Sequence, residues 1–158
     1  MNRKELAITA LMTTLYVVLV QSLGPLSFMQ IQVRIANALI GVVPVVGEPA
    51  VIGLTLGVLI GNINSPLGFI DLLSFIPSLF GMIIVLKTKG KMVMVGLSVY
   101  SLLLSAWVAF MLNMIFGVPY LITFLYVLGG MIISTVVLGY LVYIGLKKRM
   151  RSYESSKN

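Results

Sequence analysis

Polar side chains suited to ligand binding recur in an otherwise apolar chain, at positions predicted to lie toward one face of a membrane. Arginine and carboxylate side chains carry charge, whereas each asparagine or glutamine amide offers both donors and an acceptor. Burying such groups at membrane depth is costly, so each of them is a candidate for a functional role. Their placement predicts a ligand pocket open to the outside, formed by Gln32, Arg34, Asn37, Asn62, Asp71 and Asn113. Trp107 is predicted to add an aromatic wall.

The charged candidates also have structural interpretations. Arg34 could snorkel to the outer interface, and Asp71, near the start of a helix, could stabilise that helix N-terminus. For both residues a binding role and a structural role stay open. Glu48 precedes Pro49 at a helix start on the opposite side, where the helix dipole explains a carboxylate. Asp71 and Glu48 therefore cannot act as a catalytic pair.

Several chemistries are disfavoured by residue type. The chain has no cysteine and no histidine, which removes thiol nucleophiles, imidazole bases and the usual ligands of transition metals. It also has no phosphate-binding Gly-Lys motif, so it cannot hydrolyse ATP by itself. We therefore expect no enzyme activity, no cofactor and no metal site.

The composition indicates how these residues are positioned. Of 158 residues, 59% are hydrophobic and 9% are charged, with a mean hydropathy of +1.11, whereas soluble domains are about 45–50% apolar. The prediction is an all-α integral membrane protein with a single domain of six transmembrane helices over residues 1–151. A short polar cytoplasmic tail is predicted over residues 152–158.

The distribution of basic residues predicts the topology. Basic residues outnumber acidic ones to give a net charge of +7, and nine of the eleven lysines and arginines fall at residues 3–4, 87–91 and 147–151. The positive-inside rule places all three groups, and both termini, in the cytoplasm. We interpret this basic excess as a feature of a protein in a lipid bilayer rather than as a surface that binds nucleic acid. The predicted spans cover residues 6–23, 35–46, 50–63, 65–86, 92–115 and 120–146, with Ser65 and Pro66 opening the fourth.

Glycines recur every four residues in the third predicted span, at Gly53, Gly57 and Gly61. Such a stripe lets another helix backbone approach closely. An internal helix contact within the same chain is the favoured interpretation. A contact with another subunit is the alternative.

A second face of small residues lies in the cytoplasmic half of the first span. Ala10 and Thr14 are four residues apart, with Thr9 and Thr13 beside them at the same spacing. The hydroxyls could bond to their own helix, or the small face could dock a partner helix. The spacing alone leaves both interpretations open.

Four segments carry a resemblance to a known family. They are the first-helix stretch ALMTTLY at 10–16, IQVRIANAL at 31–39, GLTLG at 53–57 with Asn62, and GFID at 68–71. These segments resemble the QueT-type (queuosine-precursor) family, the substrate-binding S-components of energy-coupling-factor (ECF) transporters. The chain differs from the family pattern at Asn37 and Gly130, where acidic residues are expected, and at Phe75, where glycine is expected. Thr14 stands where alanine is usual.

The resemblance implies an S-component in the cell membrane that captures a small vitamin-like or nucleobase-like solute from outside. It also implies a complex with a transmembrane T-subunit and two ATPases, docked through the face that contains Ala10 and Thr14. The alternative hypothesis is a homo-oligomeric membrane channel or membrane-assembly protein, in which the glycine stripe packs subunits together.

Overall fold

The computed structural model describes residues 2–23 and 34–155, and within these ranges the chain is helical and contains no strand. Six helical segments follow one another. They are α1 (Arg3–Ser22), α2 (Ile35–Val46), α3 (Glu48–Gly61), α4 (Gly68–Leu86), α5 (Met92–Phe116) and α6, which joins Tyr120–Met131, Ile132–Val137 and Leu138–Ser155.

Four of these segments are long and apolar enough to cross a membrane: α1, α4, α5 and residues Tyr120–Ser152 of α6. The other two are shorter than the roughly 20 residues of a straight crossing. α3 has 14 residues, and α2 joins an 8-residue 3₁₀ helix to 4 α-helical residues. By length and composition the described residues thus contain four candidate membrane spans, and the count of six stays a prediction.

Two helix boundaries differ from those predicted. The fourth segment begins at Gly68 as a 3₁₀ helix, not at Ser65 and Pro66. Residues 65–67 form a turn before it, in which the Ser65 hydroxyl accepts a hydrogen bond from the Leu67 N–H at 3.2 Å and donates one to the Asp71 carboxylate. The last segment continues to Ser155. Residues 152–155, assigned to the polar tail, therefore extend the helix.

The glycine stripe forms an internal contact between α1 and α3. A methyl group built on Gly53 would lie 2.6 Å from the Thr9 carbonyl oxygen, and one on Gly57 would lie 2.7 Å from Tyr16 Cβ. The Thr13 hydroxyl also donates a hydrogen bond of 2.8 Å to the Gly53 carbonyl. The favoured interpretation of the stripe is confirmed, because α1 of the same chain covers it.

A tighter crossing brings α2 against α6. A methyl group on Gly41 would lie only 1.8 Å from the carbonyl oxygen of Gly139. The two backbones are therefore in direct contact, which only glycine permits at this point. The crossing fixes α2, and with it Arg34 and Asn37, against the bundle.

Candidate functional site

Three of the predicted site residues converge at one end of the bundle. Arg34 immediately precedes α2, Asn62 caps the end of α3, and Asp71 lies in the 3₁₀ turn that opens α4. Their side chains are 6%, 0% and 3% exposed. Three irregular helix ends thus bring a cation, an amide and a carboxylate into the interior, and we call these residues the Arg–Asn–Asp cluster.

Asn62 bridges the two charged side chains. Arg34 Nη2 donates a hydrogen bond to Asn62 Oδ1. Asn62 Nδ2 in turn donates to Asp71, at 3.1 Å from Oδ1 and 3.0 Å from the backbone carbonyl oxygen. The side-chain amide therefore places its acceptor toward the guanidinium and its donor toward the carboxylate.

Two serines complete the surroundings of the carboxylate. Ser65 Oγ donates to Asp71 Oδ2 at 2.5 Å, and Ser74 Oγ donates to Asp71 Oδ1 at 2.7 Å. Neither serine was among the site residues predicted from the sequence. The spacing of Ser74, one helical turn after Asp71, was the available signal.

Asn37 is joined to the cluster through Tyr16. The Tyr16 hydroxyl donates to Asn37 Oδ1 at 2.8 Å, and the Arg34 guanidinium lies 5.9 Å from the centre of the Tyr16 ring. Asn37 Nδ2 contacts Met131 Sδ at 3.1 Å. Helices α1 and α6 therefore border the same polar region, and Tyr16 is a contributor that the sequence did not reveal.

Trp107 reaches the cluster from α5. Its indole Nε1 donates to Ser74 Oγ at 2.9 Å, and the side chain is half-buried. The Trp107 ring is therefore linked to the Asp71 carboxylate through one serine hydroxyl, and its role as an aromatic wall stays a prediction.

The other predicted residues lie elsewhere. Asn113 is exposed and donates to the Val118 carbonyl oxygen at 2.7 Å, so it caps the turn between α5 and α6 instead of joining the cluster. Gln32 falls outside the described residues. Glu48 is exposed at the first residue of α3, about 20 Å along the helix from Asn62 at the other end.

These positions bear on the structural interpretations of the charged residues. Arg34 lies inside the bundle and contacts Asn62, which does not fit a side chain that snorkels to an interface. Asp71 is buried and accepts side-chain hydrogen bonds, whereas Glu48 is the exposed carboxylate in a first helical turn. The formal charge of the cluster is zero, one cation against one anion.

Two further hydroxyl groups are buried in the bundle without a hydrogen-bond partner among the described residues: Ser105 Oγ and Thr135 Oγ1. Ser105 lies two positions before Trp107 on α5, and Thr135 lies one helical turn after Met131 on α6. Buried hydroxyls are usually paired. They represent unused hydrogen-bonding capacity on the two helices that supply Trp107 and Met131.

The small face of α1 has two different sides. Thr9 and Thr13 point into the bundle, where their hydroxyls donate to the carbonyls of Pro49 and Gly53 at 3.2 and 2.8 Å. Ala10 and Thr14 are exposed. The threonine hydroxyls thus serve the internal contact, and the Thr13 hydroxyl also lies 2.9 Å from the Thr9 carbonyl oxygen of its own helix, as one interpretation predicted. The residues predicted for docking face outward.

An apolar helical bundle with four segments long enough to cross a bilayer indicates a membrane protein, and it contains a buried, charge-balanced polar cluster. The chain belongs to the QueT transporter family, whose family model matches residues 6–148. The resemblance seen in the sequence is confirmed, and the family is one of membrane transporters rather than enzymes. Comparisons with curated proteins and with solved structures gave no match.

Proposed function

We propose that the protein is the substrate-binding S-component of an ECF-type importer in the cell membrane, and that it captures a small nucleobase-like or vitamin-like solute from outside. The observation that carries the proposal is the buried Arg–Asn–Asp cluster. Burying opposite charges inside so apolar a bundle is costly, so a functional role is the default explanation for them. Because the chain belongs to a transporter family, binding of the transported solute is the function that we propose for this cluster.

The hydrogen-bonding groups of the cluster match a guanine-like ring. Arg34 offers donors, Asp71 offers acceptors, and Asn62 offers both. A guanine-like edge presents a carbonyl acceptor beside N–H and amino donors, so a carboxylate and a guanidinium together can pair with it. Tyr16 and Trp107, linked to the cluster on two sides, supply aromatic surfaces for a flat ring. The solute would replace the hydrogen bonds that the cluster now makes with itself.

The charge balance favours a neutral solute. Asp71 is offset by Arg34, and the two positions where the family pattern carries acidic residues are Asn37 and Gly130 here. Both are buried. A cationic solute would enter without a carboxylate of its own to pair with, which is costly in a buried site.

This preference can be measured by ligand-dependent thermal shift. We expect a neutral cyano-deazaguanine to raise the melting temperature of the purified protein more than the cationic aminomethyl-deazaguanine. Asn37→Asp keeps an acceptor for the Tyr16 hydroxyl and should reverse the order by adding a negative charge. If neither compound shifts the wild-type protein while an unrelated vitamin does, the nucleobase assignment is wrong.

Topology is part of the proposal: six spans, with both termini in the cytoplasm. Because the chain has no cysteine, single introduced cysteines report their side directly. Val118→Cys should react with an impermeant thiol reagent in intact cells, whereas Thr88→Cys and Ser152→Cys should react only after permeabilisation. Reaction of Thr88→Cys from outside would contradict the proposed orientation.

The exposed face with Ala10 and Thr14 is proposed to dock an ECF module made of a transmembrane T-subunit and two ATPases. Ala10→Trp should reduce co-purification of the module and leave the solute affinity of the isolated protein nearly unchanged, because bulk prevents close helix approach. Gly129→Trp is the matched control, since Gly129 is exposed with open space around it on α6. Equal assembly of the two variants would remove this face from the interface.

The channel alternative is weakened by the packing. It relied on the glycine stripe as a contact between subunits, and α1 of the same chain covers Gly53 and Gly57. No other observation favours it.

A further inference from the structure

A cavity lies at the end of the bundle that carries the basic residues, away from the Arg–Asn–Asp cluster. It has a volume of about 450 Å³ and lies between the start of α5 and the last turns of α6. Its polar lining consists of two tyrosines and four cationic residues: Tyr140, Tyr143, Lys91, Lys147, Lys148 and Arg151. We call it the basic cavity.

Tyr143 organises this cavity. Its side chain is 6% exposed, and its hydroxyl oxygen accepts hydrogen bonds from the Gly90 N–H at 3.1 Å and from Lys147 Nζ at 3.4 Å. The Lys147 ammonium also lies 5.6 Å from the centre of the Tyr143 ring. The loop before α5 and the end of α6 are thus joined at the Tyr143 hydroxyl, which positions the Lys147 ammonium at the cavity. Because the hydroxyl oxygen accepts both of these bonds, its O–H group is free to donate to a ligand.

The charge of the cavity calls for an anion. Four cations line it, and no carboxylate is among the lining residues in the part of the chain that the structure describes. Lys147 and Arg151 are also four residues apart on one helix, a spacing at which like charges repel. An anionic group bound between them removes that repulsion and accepts hydrogen bonds from several sides.

The apolar residues beside the cavity indicate the source of the anion. Ile144 lines the cavity, and Leu141, one turn further toward the bundle centre, is exposed. Along α6 the order is therefore exposed apolar surface followed by clustered cations. A phospholipid has the same order, acyl chains followed by a phosphate.

We propose that the basic cavity binds the phosphodiester headgroup of an anionic phospholipid, with the acyl chains lying along Leu141 and Ile144. Basic pockets between membrane helices on the cytoplasmic side are suited to such headgroups. The proposal requires that the helices are embedded in a bilayer. It is independent of solute binding at the Arg–Asn–Asp cluster.

The test measures binding of phosphatidylglycerol to the full-length protein in detergent by native mass spectrometry. The cavity variant combines Lys91→Gln, Lys147→Gln and Arg151→Gln. Its matched control combines Lys87→Gln, Lys89→Gln and Arg149→Gln, three exposed cations at the same end that do not line the cavity. Both variants lose three charges from the surface, so general electrostatic attraction predicts equal effects.

We expect the cavity variant to weaken phosphatidylglycerol binding by about ten-fold or more and the control to change it by less than about three-fold. Tyr143→Phe should weaken binding with all charges kept. Phosphatidylcholine should bind weakly, and inorganic phosphate should not displace the lipid. Equal losses in the two triple variants would overturn the proposal, as would displacement by inorganic phosphate, which would show a site for a free anion.

Discussion

Arg34→Gln and Asp71→Asn are expected to weaken binding of cyano-deazaguanine by about five-fold to more than a hundred-fold, since an unmatched buried polar group costs about 1–3 kcal/mol. Both side chains are buried and are bridged by Asn62, so each substitution leaves a solute group without its partner. Glu48→Gln is the matched control, because that carboxylate is exposed at the far end of α3. Isothermal calorimetry on the folded variants provides the affinities.

The two substitutions are also expected to change stability, and this effect can be separated from the loss of binding. Neutralising one charge leaves the other buried without compensation, so each single variant should also melt at a lower temperature. The double variant Arg34→Gln/Asp71→Asn should regain stability, because neither charge remains, and should still fail to bind. Wild-type affinity in a folded Asp71→Asn variant would remove Asp71 from the solute site.

Gly41→Ala should be among the most destabilising single methyl additions in the chain. Its new carbon would lie 1.8 Å from the Gly139 carbonyl oxygen, and a backbone atom cannot move aside as a flexible side chain can. Overpacking costs about 1–3 kcal/mol and occasionally more, and we expect a loss at the upper end of this range. The measurement is the melting temperature in detergent.

The same crossing and the same helix provide controls. A methyl group on Gly139 would lie 3.5 Å from its nearest neighbour, and one on Gly145 would meet nothing within 4 Å. Gly139→Ala should therefore be tolerated, and Gly145→Ala should be neutral or stabilising, by up to about 1 kcal/mol, through helix propensity. Similar losses in all three variants would contradict the close crossing of α2 and α6.

The helical segments were largely predictable because the apolar runs are interrupted by strong local signals. Gly117 adopts a left-handed conformation between α5 and α6, and Gly47 has a positive φ between α2 and α3. Both breaks are determined by residues close in sequence. The glycine stripe of α3 was equally legible, since its four-residue spacing is a local property of one helix.

The detail of the site was less predictable because it depends on contacts between distant residues. Tyr16 lies 21 residues from Asn37, and Trp107 lies 33 residues from Ser74, so no spacing rule connects them. The Gly41–Gly139 crossing is invisible for the same reason. Asn113 was predicted to lie in the pocket because of its depth along α5. Its side chain instead lies on an exposed side of the helix and donates to the Val118 carbonyl oxygen.

Uptake into proteoliposomes tests the central claim most directly. Labelled cyano-deazaguanine is offered to vesicles that contain the protein alone or the protein with the T-subunit and the two ATPases. The account predicts binding without accumulation by the protein alone, and ATP-dependent accumulation only with the module, lost in Arg34→Gln. Accumulation or equilibration by the protein alone, independent of ATP, would contradict an S-component and indicate a channel.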